Sequence, residues 1–143
     1  MSFDLQVNNG DLVIGTNGDF GIVQGSSKLQ QSLLKIILTP LGGNPVQPWY
    51  GSLINKTLVG NILRTDIVLT MAQAQLHGAI ETLQKVQALQ VASGQKVTPD
   101  EQIASISSIN ITRNTIDPRL LSVMVSVLNR SFGRVNTSFT VSP

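Results

Sequence analysis

Eight carboxylates are the side chains best able to do chemistry in this 143-residue chain: Asp4, Asp11, Asp19, Asp66, Glu81, Asp100, Glu101 and Asp117. Cleaving a glycosidic bond needs two carboxyl groups facing each other across a sugar, one as acid and one as base or nucleophile. Most of these residues have local structural work instead. Asp11 stands beside a hairpin turn, Asp66 and Asp100 at helix starts, Glu101 in a capping box and Asp117 before Pro118. Glu81 is the only mid-helix acid, on the polar side of its helix. A Glu81–Asp19 pair can be drawn, but no spacing favours it.

His77 is the only histidine, one position off an apolar helical stripe. No Ser, Cys or acid at helical spacing is expected to orient it as a base, so it reads as a boundary or core residue. The absence of Cys excludes thiolate sites, and one His leaves an imidazole-based metal centre without ligands. Gly15–Gly18 and Gly42-Gly43 lack both a strand-GxGxxG-helix setting and a Lys-Ser/Thr ending, so neither is expected to cradle a phosphate. The expectation is a protein that is not an enzyme and holds no cofactor or metal.

The most specific composition lies elsewhere, in residues 38–51, Leu-Thr-Pro-Leu-Gly-Gly-Asn-Pro-Val-Gln-Pro-Trp-Tyr-Gly. Three of the six prolines, three of the twelve glycines and the only Trp and Tyr fall in it. Pro fixes φ and Gly supplies angles other residues avoid, so the stretch reads as a rigid, shaped connector. It carries no catalytic side chain and looks like a docking element. Trp49 and Tyr50 form an anchor pair, for the chain's own core or for a neighbour.

The elements that must position this connector follow from periodicity. Phe3, Leu5 and Val7 alternate with polar residues, Asn9-Gly10 intervenes, and Leu12 and Ile14 follow, which predicts a hairpin. A loop at 15–18 leads to a short extended piece over 19–23. Ser26 or Ser27 is placed to cap a helix burying Leu29, Leu33, Leu34, Ile36 and Ile37, and Thr39-Pro40 ends it. After the connector, Ser52 is placed to cap a short helix through Leu58, ending at Gly60. Thr65 or Asp66 starts the longest helix, to about Val91, with Leu69, Ala72, Leu76, Ile80, Leu83 and Val86 on one face. Glutamines at 73, 75, 84, 87 and 90 take much of the rest, and Ser93-Gly94 closes it. Thr98-Pro99-Asp100-Glu101 predicts a short helix start with Thr98 as cap. Strands follow over 105–113, 123–127 and 135–141, joined at 114–118 and at Gly133-Arg134. The fold class is α+β: an N-terminal hairpin, helices including one long amphipathic helix, and a C-terminal antiparallel meander in a single domain over 1–143.

Charged residues make up 13 % of the chain, against about 25 % in typical soluble domains, and Asn, Gln, Ser and Thr supply the polarity. Such a surface is cheaper to desolvate than a charged one, which suits a subunit surrounded by other proteins, though drift in composition gives the same numbers. A net charge of +2 with scattered Lys and Arg gives no phosphate-binding stripe, so no nucleic-acid partner is expected. No apolar run is long enough to span a bilayer, and Met1-Ser2-Phe3-Asp4 does not read as a secretory signal. A soluble protein with no membrane partner is expected.

One family carries this order of elements. Leu29-Gln30-Gln31-Ser32-Leu33 runs to Leu38-Thr39-Pro40, then Gly42-Gly43, then Pro48-Trp49-Tyr50-Gly51, a long helix, and Asp100-Glu101-Gln102-Ile103 running into Ile109-Asn110-Ile111. This resembles the small baseplate-wedge, or sheath-initiator, family of contractile phage tails and related injection systems, over roughly residues 19 to 112. Asn44 stands where that family commonly has Glu, and Gln47 and Gln102 where it has Arg. Thr39, Pro40, Gly42, Gly43, Pro48, Tyr50 and Gly51 keep its shape-defining part.

The resemblance implies a virion structural protein in the tail baseplate, assembled in the host cytoplasm. Its implied partners are other baseplate wedge and hub proteins and the tail sheath protein. The implied partner-binding residues are Thr39, Pro40, Gly42, Gly43, Pro48, Trp49, Tyr50 and Gly51 in the connector. In the C-terminal strand region of 120–143 they are Val135, Thr137, Phe139 and Val141. That strand is implied to template the first sheath ring by strand addition, although an alternating strand at a sheet edge needs no partner to explain it. Deletion after Gly133 is expected to leave a folded core. The family is often labelled lysozyme-like, and the alternatives to assembly are a peptidoglycan-cleaving tail lysozyme and a small binding module.

Overall fold

The computed structural model describes residues 3–8, 11–54, 65–117 and 120–141. Four two-residue strands open the chain: β1 (Asp4–Leu5), β2 (Val7–Asn8), β3 (Asp11–Leu12) and β4 (Ile22–Val23). β2 pairs with β3, Val7 opposite Leu12, as the Asn-Gly signal predicts, and β1 pairs with β4. This lobe leaves Phe3, Ile14, Phe20 and Ile22 largely exposed. Gln31 ties it to the body, accepting the Val7 N–H at 2.9 Å and donating to the Leu5 carbonyl at 2.8 Å.

Helix α1 (Gly25–Leu38) buries Leu29, Leu33, Ile36 and Ile37, while Leu34 is only half-buried. Its N-cap position is Gln24, and neither Ser26 nor Ser27 caps it. Thr39 ends it in extended geometry, its N–H bonded to the Lys35 carbonyl at 3.1 Å. The short helix expected through Leu58 lies, beyond Ile54, outside the described residues. Helix α2 (Thr65–Ala92) buries Ala72, Leu76, Ile80 and Leu83 of the predicted stripe, with Ala79 beside them, while Leu69 and Val86 are half-buried. Gly94, at a φ of +86, closes it, as αL glycines do at helix ends. The expected capping by Asp66 lies outside the described side chains.

Pro99–Glu101 is a single 3₁₀ turn. The capping box does not form there. The Thr98 hydroxyl bonds to the Asp100 carboxylate, and Glu101 turns away into the body. Three long strands complete the chain: β5 (Ile103–Arg113), β6 (Leu121–Asn129) and β7 (Arg134–Val141), antiparallel in the order β5-β6-β7. Two register shifts in β5, at 103/105 and 106/108, bring Ile103, Ile106, Ile109 and Ile111 to the same face. Plain alternation would send Ile106 to the other side, so the bulges decide that face.

The helices cover that one face, α2 against β5 and α1 against β7. Leu29, Leu33, Ile36, Leu76, Ile80, Val123, Val125 and Val127 belong to one continuous buried cluster. Each such aliphatic side chain contributes roughly 1.5–3 kcal/mol on burial. The opposite face carries Ser108, Asn110, Ser122, Met124, Ser126, Asn136 and Ser138, with no carboxylate.

Candidate functional site

The connector is a closed loop. The Ser52 N–H donates to the Thr39 carbonyl at 2.9 Å and the Leu41 N–H to the Ser52 carbonyl at 3.0 Å, so entry and exit lie side by side. The Ser52 hydroxyl, expected to cap a following helix, donates to the Ile37 carbonyl at the end of α1. Gly51 makes this approach possible: its φ is +123, and a Cβ there would stand 2.5 Å from the Thr39 carbonyl oxygen. Pro40 to Gly43 form a turn closed by the Gly43 N–H on the Pro40 carbonyl at 3.0 Å, with Gly42 at φ +82 in its third position. That is the position a type II turn reserves for glycine. Asn44 accepts the Val46 N–H on its side chain at 3.0 Å, a local turn role that a neutral amide fills.

Trp49 and Tyr50 part company. Tyr50 packs on the core cluster, whereas Trp49 meets it edge-on at a 6.2 Å centroid separation and stays 48 % exposed. Val46 and Pro48 are exposed beside it. Burial raises the Tyr50 hydroxyl above its ordinary value of 10.0, with Asp4 adding to the rise and Lys35 opposing it.

A cleft of roughly 590 Å³ lies between this loop, α1 and α2. Asp4, Lys28, Lys35, Trp49, Gln90 and Glu101 are among its lining residues. Sequence reasoning did not bring Asp4 and Glu101 together, because only the packing of the N-terminal lobe and the 3₁₀ turn on α1 does so. Each faces a lysine. Lys35 bonds Asp4 at 2.9 Å, and Lys28 stands 3.6 Å from Glu101. Desolvation pushes the Asp4 carboxyl up, but the Lys35 bond and charge, with the Leu5 N–H and Gln31, outweigh it and leave the group below its ordinary value.

His77 corrects the sequence reading twice. It is exposed, and the Glu81 carboxylate, four residues on, stands 3.3 Å from its Nδ1. Asp19 accepts from the Asn17 amide in its own loop. Among the described residues, no group of three or more His, Asp or Glu side chains has the spacing to hold a metal ion. No described helix is long and apolar enough to cross a membrane.

The two edges of the large sheet differ. Along β5, Gln73 donates to the Ile109 carbonyl at 3.4 Å and Gln84 to Ile103 and Ala104 at 3.4 and 3.3 Å. Buried Gln87 donates to the Glu101 carbonyl at 2.8 Å and accepts the Ile103 N–H at 2.9 Å. These glutamines, expected on the polar side of the long helix, clothe that edge. Along β7, Val135 and Thr137 are buried and Phe139 half-buried, on the helix-covered face; nothing is described of the Val141 side chain. The Val135 and Thr137 side chains are thus spent on the core, and what β7 presents at its outer edge is main chain. The Asn129 N–H donates to the Gly133 carbonyl, so the odd-numbered residues of β7 bond to β6 and the even-numbered ones point outward.

No family model matches the sequence, and no curated protein matches it. Among solved structures, the fold is similar to that of a Geobacter sulfurreducens protein described provisionally as a tail lysozyme. The two superpose with a TM-score of 0.60, covering 81 % of this chain and 88 % of that one at 14 % identity. This α+β chain thus shares its fold, across most of its length, with a protein described as belonging to a tail.

Proposed function

We propose that this protein is a structural baseplate subunit of a contractile tail, docking beside the hub and nucleating the sheath by strand addition to β7. The carrying observation is that edge strand, whose outward main-chain groups from Ser138 onward lie beside a polar face that holds no carboxylate and, within β7, one cation, Arg134. An open edge is a template for another chain, and a surface poor in charge is cheap to cover. The fold shared with a tail protein supports the setting. The closed connector, with Trp49 and Val46 outward on a loop pinned at both ends, supplies a preformed docking surface for wedge and hub proteins.

Deletion after Gly133 is the wrong test. It strips Val135 and Thr137 from the core and uncovers Val125 and Val127, so loss of folding is the expected result and would mask any effect on nucleation. Ser138→Pro is the right one, because the Ser138 N–H points outward and its loss costs no bond to β6. The variant should keep the wild-type circular dichroism yet fail to nucleate sheath rings on mixing with the tail sheath protein, scored by electron microscopy. Normal rings from the folded variant would refute strand addition at β7.

The neighbour's description favours peptidoglycan cleavage as a second reading, and the cleft places two carboxyl groups on its walls. A general acid needs a raised pKa, however, and Asp4 lies below the ordinary range. Clearing of a cell-wall suspension that Glu101→Gln abolishes would establish the enzymatic reading.

A further inference from the structure

We propose that Gln30 and Thr137 set the register of the strand that adds to β7, Gln30 as a latch and Thr137 as a waiting partner. This inference rests on the strand addition put forward above. The Gln30 amide reaches from α1 to the sheet edge and donates to the Asn136 carbonyl at 2.9 Å. Asn136 is one of the outward-pointing residues of β7, so the latch occupies an acceptor that an incoming strand would use. The Asn136 side chain is held too, accepting from the Ser126 hydroxyl at 2.7 Å. Pairing is then free to run along Ser138 and Thr140 and stops at Asn136. On the opposite edge, three glutamines of α2 bond the β5 main chain at Ile103, Ala104 and Ile109, which favours β7 for the newcomer.

Thr137 supplies the second, independent observation. It is 2 % exposed, and its hydroxyl has no hydrogen-bond partner. A buried unpaired hydroxyl is costly, and this one lies on an edge strand. Because Thr137 turns its main chain toward β6, a residue opposite it on the outer side would sit at a non-hydrogen-bonded position, where facing side chains come closest. The incoming segment is therefore an extended, uncharged strand with Ser or Thr opposite Thr137. Its apolar residues lie beside Phe139, and its small polar ones beside Ser138 and Thr140.

The test uses the full chain and a synthetic, end-blocked peptide with the sequence of residues 135–141, Val-Asn-Thr-Ser-Phe-Thr-Val, which has this alternation and no charged side chain. Residue-resolved amide exchange should show the peptide protecting Ser138 and Thr140, but neither Asn136 nor β5. In Gln30→Ala, protection should extend to Asn136 and binding tighten about three- to tenfold, the effect of one neutral hydrogen bond. Thr137→Val should raise the melting temperature of the free chain yet weaken the peptide about threefold or more. Identical protection in wild type and Gln30→Ala, or unchanged affinity in Thr137→Val, overturns the register while strand addition stands. Protection at β5, or none at β7 in any variant, overturns both.

Discussion

The Glu101 carboxylate reaches the N–H of Gly25 at 3.4 Å and faces the Lys28 ammonium at 3.6 Å, so a residue 76 positions downstream caps α1. Negative charge at a helix N-terminus is stabilising, and here it is 3 % exposed. The same contact ties the entry to β5 onto the first helix, and both flank the cleft.

Glu101→Ala should cost about 2–4 kcal/mol, because it uncaps α1 and leaves Lys28 beside an unfilled, poorly solvated space. Glu101→Gln, which keeps a carbonyl for the Gly25 N–H, should cost less. Chemical denaturation of the three proteins gives the ranking.

Gly51 and Gly42 both have positive φ, but only Gly51 is crowded. Gly51→Ala should destabilise by about 3 kcal/mol or more, since strain and a clash with the Thr39 carbonyl add. Gly42→Ala, with nothing within 4 Å of the new methyl, should cost about 1 kcal/mol. Equal losses in thermal melts would show that the two ends of the loop are not closed as described.

Gln87 fills two main-chain bonds between α2 and the start of β5. Replacing it with Leu keeps the bulk and abandons a buried N–H and a buried carbonyl, for a loss of about 2–3 kcal/mol. Amide exchange at Ile103 should accelerate more than at Val125.

Acid and alkali should act at different residues. Asp4 has a lowered folded-state pKa, so below the ordinary 3.8 the unfolded chain binds more protons than the native one. Its stabilisation is full above that value and is lost as pH falls through the lower folded value. Lys35→Met should flatten this acid limb, and high salt should shrink it, because the pair is partly exposed. Tyr50 has a raised pKa, so the native state holds its proton longer and stability falls as pH climbs past 10.0. Tyr50→Phe should remove that alkaline slope, read from melting temperature against pH.

The amino-acid sequence by itself determined what depends on near neighbours. Apolar spacing placed α1 and the buried stripe of α2, Thr39-Pro40 ended the first helix, Gly94 the second, and alternation marked β6 and β7, because these are preferences within a turn or a pleat. The crowded, glycine-rich composition of 38–51 also announced a shaped loop. Contacts between residues far apart in the chain were decided only by the tertiary structure. Glu101 looked like the end of its own capping box until packing offered it the open N-terminus of α1. Gln87 looked like one more amide on the polar side of its helix until β5 brought unpaired main chain within its reach, and only the packing of α1 on the sheet gave Gln30 the Asn136 carbonyl. Ile106 joined the core through two bulges, which alternation cannot foresee. A side chain's local preference sets where it can go, and the nearest unsatisfied partner in three dimensions, costly to leave buried and alone, decides where it does go.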